Sequence, residues 1–119
     1  MKYVLLIHGD EAAMGSIDNE EARAAMYQDF EKYTNGLVER GLMRGGEELQ
    51  PTSTATTVRM KDGAVLTTDG PFAETKEQLG GFYLIECENL DQAIEEASQI
   101  PSVKYGGAVE VRPVLEAHD

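Results

Sequence analysis

"KYVLLIH", residues 2–8, reads as a strand without a polar break. Successive side chains on a strand point to opposite faces. Tyr3, Leu5 and Ile7 therefore share one face, and Val4, Leu6 and His8 share the other. A strand apolar on both faces belongs inside a sheet, with something packed on each side.

One layer is legible as two helices. The first spans about residues 19–41, with Asp18 placed to cap it and Glu21 three positions on to complete a capping box. Ala22, Met26, Phe30, Tyr33 and Leu37 recur at helical spacing and form its apolar stripe. Gly41 stands where a left-handed residue ends a helix. The second helix spans about Leu90 to Ile100, capped by Asn89 and stopped by Pro101. Its stripe is Leu90, Ala93, Ile94 and Ala97.

Between the helices, "RGGEELQPTSTAT" (residues 44–56) reads as a turn-rich crossing. "TTVRM" and "AVLTT" then flank "KDG", and Asp62-Gly63 between alternating segments is a hairpin signal. "GGFYLIECE" (residues 80–88) is a further strand, and "GGAVEVRPV" (residues 106–114) closes the pattern. Val109 and Val111 face one way there, Glu110 and Arg112 the other. Pro113 marks an edge strand or the end of a ladder. The tail, including His118, reads as loose and idle.

The order β, α, β-hairpin, β, α, β over a single domain of 119 residues predicts an α+β, ferredoxin-like sheet with two helices on one face. That arrangement leaves the second sheet face bare, and it is apolar. A large bare apolar face marks an interface. The expectation is a homodimer with a cavity between or beside the packed sheets.

Composition narrows the function. With 22 acidic and 10 basic residues the net charge is −12. Such a chain repels phosphate backbones and anionic bilayers, which argues against nucleic-acid and membrane-surface partners. No apolar run reaches the ~18 residues of a membrane helix, and the start lacks a signal-peptide core. Cys87 is the one cysteine, so no internal disulfide forms, which fits a reducing cytoplasm. In its apolar strand it reads as a small buried hydrophobe.

The connector "DGPFAETKEQLGGF" (residues 69–82) is longer and more charged than joining two strands requires. Together with "KYVLLIHGDE", "PTSTATTVR" and "GGAVEVRPV" it resembles the YCII-related family, in its DGPF-type branch, over about residues 2 to 114. The resemblance implies a dimeric α/β-barrel of ferredoxin-like subunits. It implies no single reaction. Relatives are regarded as candidate enzymes because a His and an Asp meet in a cleft at the dimer centre; one removes halide from a chlorinated ring product, and some are associated with sigma factors. The narrower His–Asp pattern is absent here. The first helix carries Tyr27 and Phe30 where that His is expected, and Ile100 precedes Pro101 in place of the Asp. Only Asp69, Gly70, Pro71 and Phe72 with their neighbours carry over.

Candidate chemistry follows from those residues. Asp69, turned by Gly70 and Pro71, is either a general base or acid aimed into a cleft, or a routine turn residue bonding nearby amides. His8 ends the first strand and carries an imidazole, a side chain suited to proton transfer, so it is either Asp69's partner in that transfer or a structural residue. Gly70, Pro71, Phe72, Lys76 and Ser53 are the candidate ligand contacts. Glu74, Lys76 and Glu77 form either a solvated rim, a one-turn helix capped by Thr75, or a lid on which Lys76 binds an anion or pairs with Glu74. Gly80-Gly81 allows either close backbone approach or unusual dihedrals, or a bulge. Arg59 and Arg112 are anion anchors or members of cross-strand ion pairs. No spacing of His, Cys and acids points to a metal, no glycine-rich loop to a nucleotide cofactor, and no Gly-x-Ser-x-Gly elbow to a serine nucleophile. The expectation is a cofactor-free acid–base enzyme of lyase, isomerase or dehalogenase type on a small cyclic metabolite. The alternative is a non-catalytic ligand-binding or regulatory dimer.

Overall fold

The computed structural model describes residues 1–12 and 19–116. Six strands and two main helices occur in these segments: β1 (Lys2–Gly9), α1 (Glu20–Glu39), β2 (Met43–Glu48), β3 (Thr56–Lys61), β4 (Ala64–Asp69), β5 (Gln78–Glu86), α2 (Leu90–Ser98) and β6 (Ala108–Pro113). Short 3-10 turns occupy Thr52–Thr54 and Pro101–Tyr105.

β1 is an interior strand, as its two apolar faces require. The main sheet has the order β2-β5-β1-β6, with every neighbouring pair antiparallel. Tyr3 and Leu5 of β1 and Tyr83 and Ile85 of β5 point to one side and are buried. Against them pack Tyr33 and Leu37 of α1, Ala93 and Ala97 of α2, and Ile100. Both helices thus cover one sheet face, the ferredoxin-like arrangement. The aromatic rings of Tyr33 and Tyr83 meet edge to face, centroids 5.3 Å apart. The Tyr33 hydroxyl donates to the Glu96 carbonyl at 2.9 Å, tying α1 to α2.

On the opposite face, Val4 pairs across from Leu84 and Leu6 from Phe82. These four stay half-exposed, because no described element lies over them. β6, with Pro113 at its end, is an edge strand. Val109 and Val111 turn to the core; Glu110 and Arg112 turn away and pair with each other along the strand.

Several expectations are corrected. The crossing at residues 44–56 contains strand β2, which its Gly-Gly-Glu-Glu sequence conceals. The predicted hairpin is present, with Asp62 and Gly63 at φ 51° and 79° in its turn. It forms a separate two-stranded ribbon, β3–β4, outside the main sheet. The stripe of α1 is buried only in its second half: Ala22 is exposed and Met26 partly so, since the first turns overhang the sheet. Helix capping falls to Asn19, whose side chain accepts from the amides of Glu21 and Ala22; Asp18 and His118 lie outside the described residues. The far end closes as expected, with Gly41 at φ 71° and the Leu42 amide donating to the Leu37 carbonyl at 2.9 Å.

In α2, Asn89 accepts from the Gln92 amide at 2.9 Å and caps the helix as predicted. Leu90 and Ile94 of its stripe stay exposed. Cys87 is buried, and burial pushes its thiol above the usual value, consistent with a core residue rather than a nucleophile.

Candidate functional site

Residues 70–77 leave β4 and enter β5 without forming a helix. Gly70 opens this loop with φ 106°, a backbone state that L side chains rarely adopt. Pro71 then fixes the next turn. The Gly70 amide donates to the Ala55 carbonyl at 2.8 Å, and the Thr57 hydroxyl donates to the Gly70 carbonyl at 2.8 Å. The Asp-Gly-Pro turn is therefore locked onto the segment entering β3.

A second anchor holds the other wall. The Glu11 carboxylate accepts from both the amide and the hydroxyl of Thr52, at 2.9 and 2.8 Å. The Glu11 amide donates to Gln78 Oε1 at 3.0 Å, and Gln78 Nε2 donates to the Thr75 carbonyl at 2.8 Å. One carboxylate and one amide side chain thus fasten three segments: the loop after β1, the turn at Thr52–Thr54, and the loop before β5.

Between these anchors lies an open cleft of about 450 Å3. Its walls are Thr52, Ser53, Gly70, Pro71, Ala73, Glu74, Thr75 and Gln78. The volume is in the range of small-molecule sites, roughly 300–1,000 Å3. The hydroxyls of Ser53 and Thr52 and the Glu74 carboxylate offer both donors and acceptors.

The predicted site residues divide. Ser53, Gly70 and Pro71 line the cleft together. Asp69 precedes it at the end of β4 and is exposed, and among the described residues no donor reaches its carboxylate. Phe72 is exposed, with the Arg59 guanidinium 4.9 Å above its ring; Arg59 is thus held by an aromatic face rather than a cross-strand acid. Arg112 pairs with Glu110 within its own strand. Lys76 is exposed, and among the described residues it forms no ion pair with Glu74. The Thr75 hydroxyl donates to the Glu77 carbonyl and caps no helix.

His8 stands at the end of β1, opposite Leu79 and Ala108, beside a bulge between Ile7 and His8. Gly9 follows it and faces Gln78, so His8 lies at the end of the sheet that carries the cleft. Among the described residues no hydrogen bond joins His8 to Asp69. Gly80 and Gly81 divide as well. A Cβ on Gly81 would meet the Glu47 carbonyl oxygen at 2.9 Å, so Gly81 serves close approach of β2 to β5. A Cβ on Gly80 would find its nearest atom at 3.9 Å.

Glu11, Thr52 and Gln78 were not singled out from the sequence. They follow no period and sit in three separate segments. The only local hint is an acid directly after the "KYVLLIHGD" strand end.

The YCII-related domain model matches residues 1–118. An uncharacterised protein of Rhizobium meliloti (strain 1021) is 39% identical over 115 residues, covering 96% of this chain and 92% of the relative. On both comparisons, this chain belongs to the YCII-related family.

Proposed function

We propose that this YCII-related chain works as a homodimer that binds a small cyclic metabolite in the Asp-Gly-Pro-Phe cleft, where Asp69 moves protons on it with help from His8 and without a cofactor. The observation that supports this reading is the cleft itself. It has the volume of a small-molecule site, its walls are pinned by Glu11 and Gln78, and it is built on the loop that departs most from a plain connector. Asp69 borders it one residue before Gly70, and His8 stands at the same end of the sheet. Both would need a substrate, and a second copy over the open face, to act on one proton.

The test is a titration with hydroxybenzoates and five- and six-membered lactones, followed by amide chemical shifts. Shifts concentrated at Ser53, Gly70, Ala73, Thr75 and Gln78 are expected. Shifts that map elsewhere, or none at all, would remove the cleft from consideration. For any compound that turns over, Asp69→Asn should keep the shifts and lose the turnover.

A second reading has its own support. Asp69 is exposed and receives no hydrogen bond among the described residues, whereas catalytic carboxylates are usually tuned by burial or a neighbour. A binding module without turnover would show the same shifts, no product with any compound, and unchanged affinity in Asp69→Asn.

A further inference from the structure

We propose that the β3–β4 ribbon is an arm that docks on a second copy of this chain, laying Val58, Met60 and Val65 on the partner's open sheet face. The proposal rests on the homodimer reading above and adds the element that makes the contact.

The first argument is that the ribbon has no support of its own. β3 and β4 pair with each other from Thr56–Asp69 to Lys61–Ala64 and barely touch the helices or the main sheet. A lone two-stranded ribbon is marginal in water and needs a third layer against one face.

The second argument is which face is apolar. The register puts Val58, Met60, Val65 and Thr67 on one side, with Thr56 and Asp69 at its base, and Thr57, Arg59, Lys61, Ala64, Leu66 and Thr68 on the other. Val58, Met60 and Val65 are 62%, 67% and 66% exposed and adjoin one another on the ribbon. Together they form a patch on the order of a few hundred Å2, the size that marks an interface. The ribbon is amphipathic, and its apolar side covers nothing among the described residues.

The third argument is complementarity. Among the described residues, Val4, Leu6, Phe82 and Leu84 on the main sheet form a further, half-exposed apolar surface of matching character. Two arms on two such faces, related by a two-fold axis, would approach the ~1,200 Å2 of total burial at which stable interfaces begin. Charge agrees. Arg59 and Lys61 balance Asp62 and Asp69, so the arm is neutral, while the chain as a whole carries −12. The arm is therefore the part of the molecule that can approach an acidic partner without adding repulsion.

The test uses the full chain with the photo-reactive residue p-benzoylphenylalanine in place of Met60, mixed as light and 15N-labelled copies. Irradiation should give mixed-isotope cross-links to peptides covering residues 4–8 or 82–84. In parallel, the Val58→Ser, Met60→Ser, Val65→Ser triple variant should keep its far-ultraviolet circular dichroism and weaken self-association by more than about tenfold in sedimentation. If the unmodified chain dimerises but cross-links are absent, intrachain or elsewhere, or the triple variant associates as tightly as the parent, the arm has no such role and the homodimer reading stands. If the unmodified chain is a monomer at about 10 μM, both fall.

Discussion

At the scale of single residues, the loop signature has separable physical causes. Gly70 is needed because its φ of 106° costs an L side chain roughly 1–2 kcal/mol, so Gly70→Ala should lower stability by about that much. Gly81 is needed for space. Its added Cβ would press on a backbone carbonyl that cannot swing aside, and Gly81→Ala should cost about 1–3 kcal/mol in urea unfolding. Gly80→Ala meets no such obstacle and should fall within about 0.5 kcal/mol of the parent or slightly above it. Equal costs at the two positions would contradict the close-approach explanation. The tyrosines carry a pH signature. Burial raises the phenol of Tyr33, and the Glu96 and Tyr83 charges raise it further, from a usual 10.0. Tyr83 is raised by burial too, against a hydrogen bond with Thr34 that lowers it. In the unfolded chain both ionise near 10 while the folded chain holds its protons. The folded state then binds more protons, so stability falls as pH rises past 10 and is unaffected below it. The slope from Tyr33 alone should approach about 1.4 kcal/mol per pH unit, and Tyr33→Phe should remove it. A stability flat between pH 9 and 11.5 would contradict the burial of both rings.

At the scale of elements, what could be read in advance follows from where each element's information lies. β1, β5, α2 and the second half of α1 announce themselves, because their own side chains fill the core and therefore keep the period of the element. Leu37, wholly buried between α1 and the sheet, is such a residue, and Leu37→Ala should cost about 2–5 kcal/mol through transfer and cavity together. The exposed Val38 beside it should tolerate alanine within about 0.5 kcal/mol; a similar loss at both would mean that the helix packs by another face. β2 announces nothing. Its strand exists because β5 offers an edge and because small residues let the backbones close up, and neither fact is local to "RGGEE". The Asp62-Gly63 turn was legible from its residues, yet the same residues do not say whether the ribbon joins the main sheet. The cleft was half legible for the same reason. Ser53, Gly70 and Pro71 are adjacent in sequence to recognisable turns, whereas Glu11, Thr52 and Gln78 meet only through the fold.

At the scale of the whole molecule, shape and charge pull in different directions, and their balance is measurable. The Cα radius of gyration is 16.4 Å, against about 13–14 Å for a compact domain of this length. The short dimension of 18 Å leaves room for a sheet and one helical layer only. The molecule is thus a slab with one unlayered apolar face, which favours association. Each copy also brings −12 of charge to any partner, which opposes it. Added salt shortens the range of that repulsion, from about 30 Å at 0.01 M to about 8 Å at 0.15 M, and leaves apolar burial nearly unchanged. Self-association should therefore tighten as salt rises over that interval, measured by sedimentation equilibrium at neutral pH. Association through the acidic rims, held by ion pairs such as Arg44–Glu86 exchanged between copies, would instead weaken with salt. The sign of that one slope distinguishes an apolar contact between slabs from an electrostatic one.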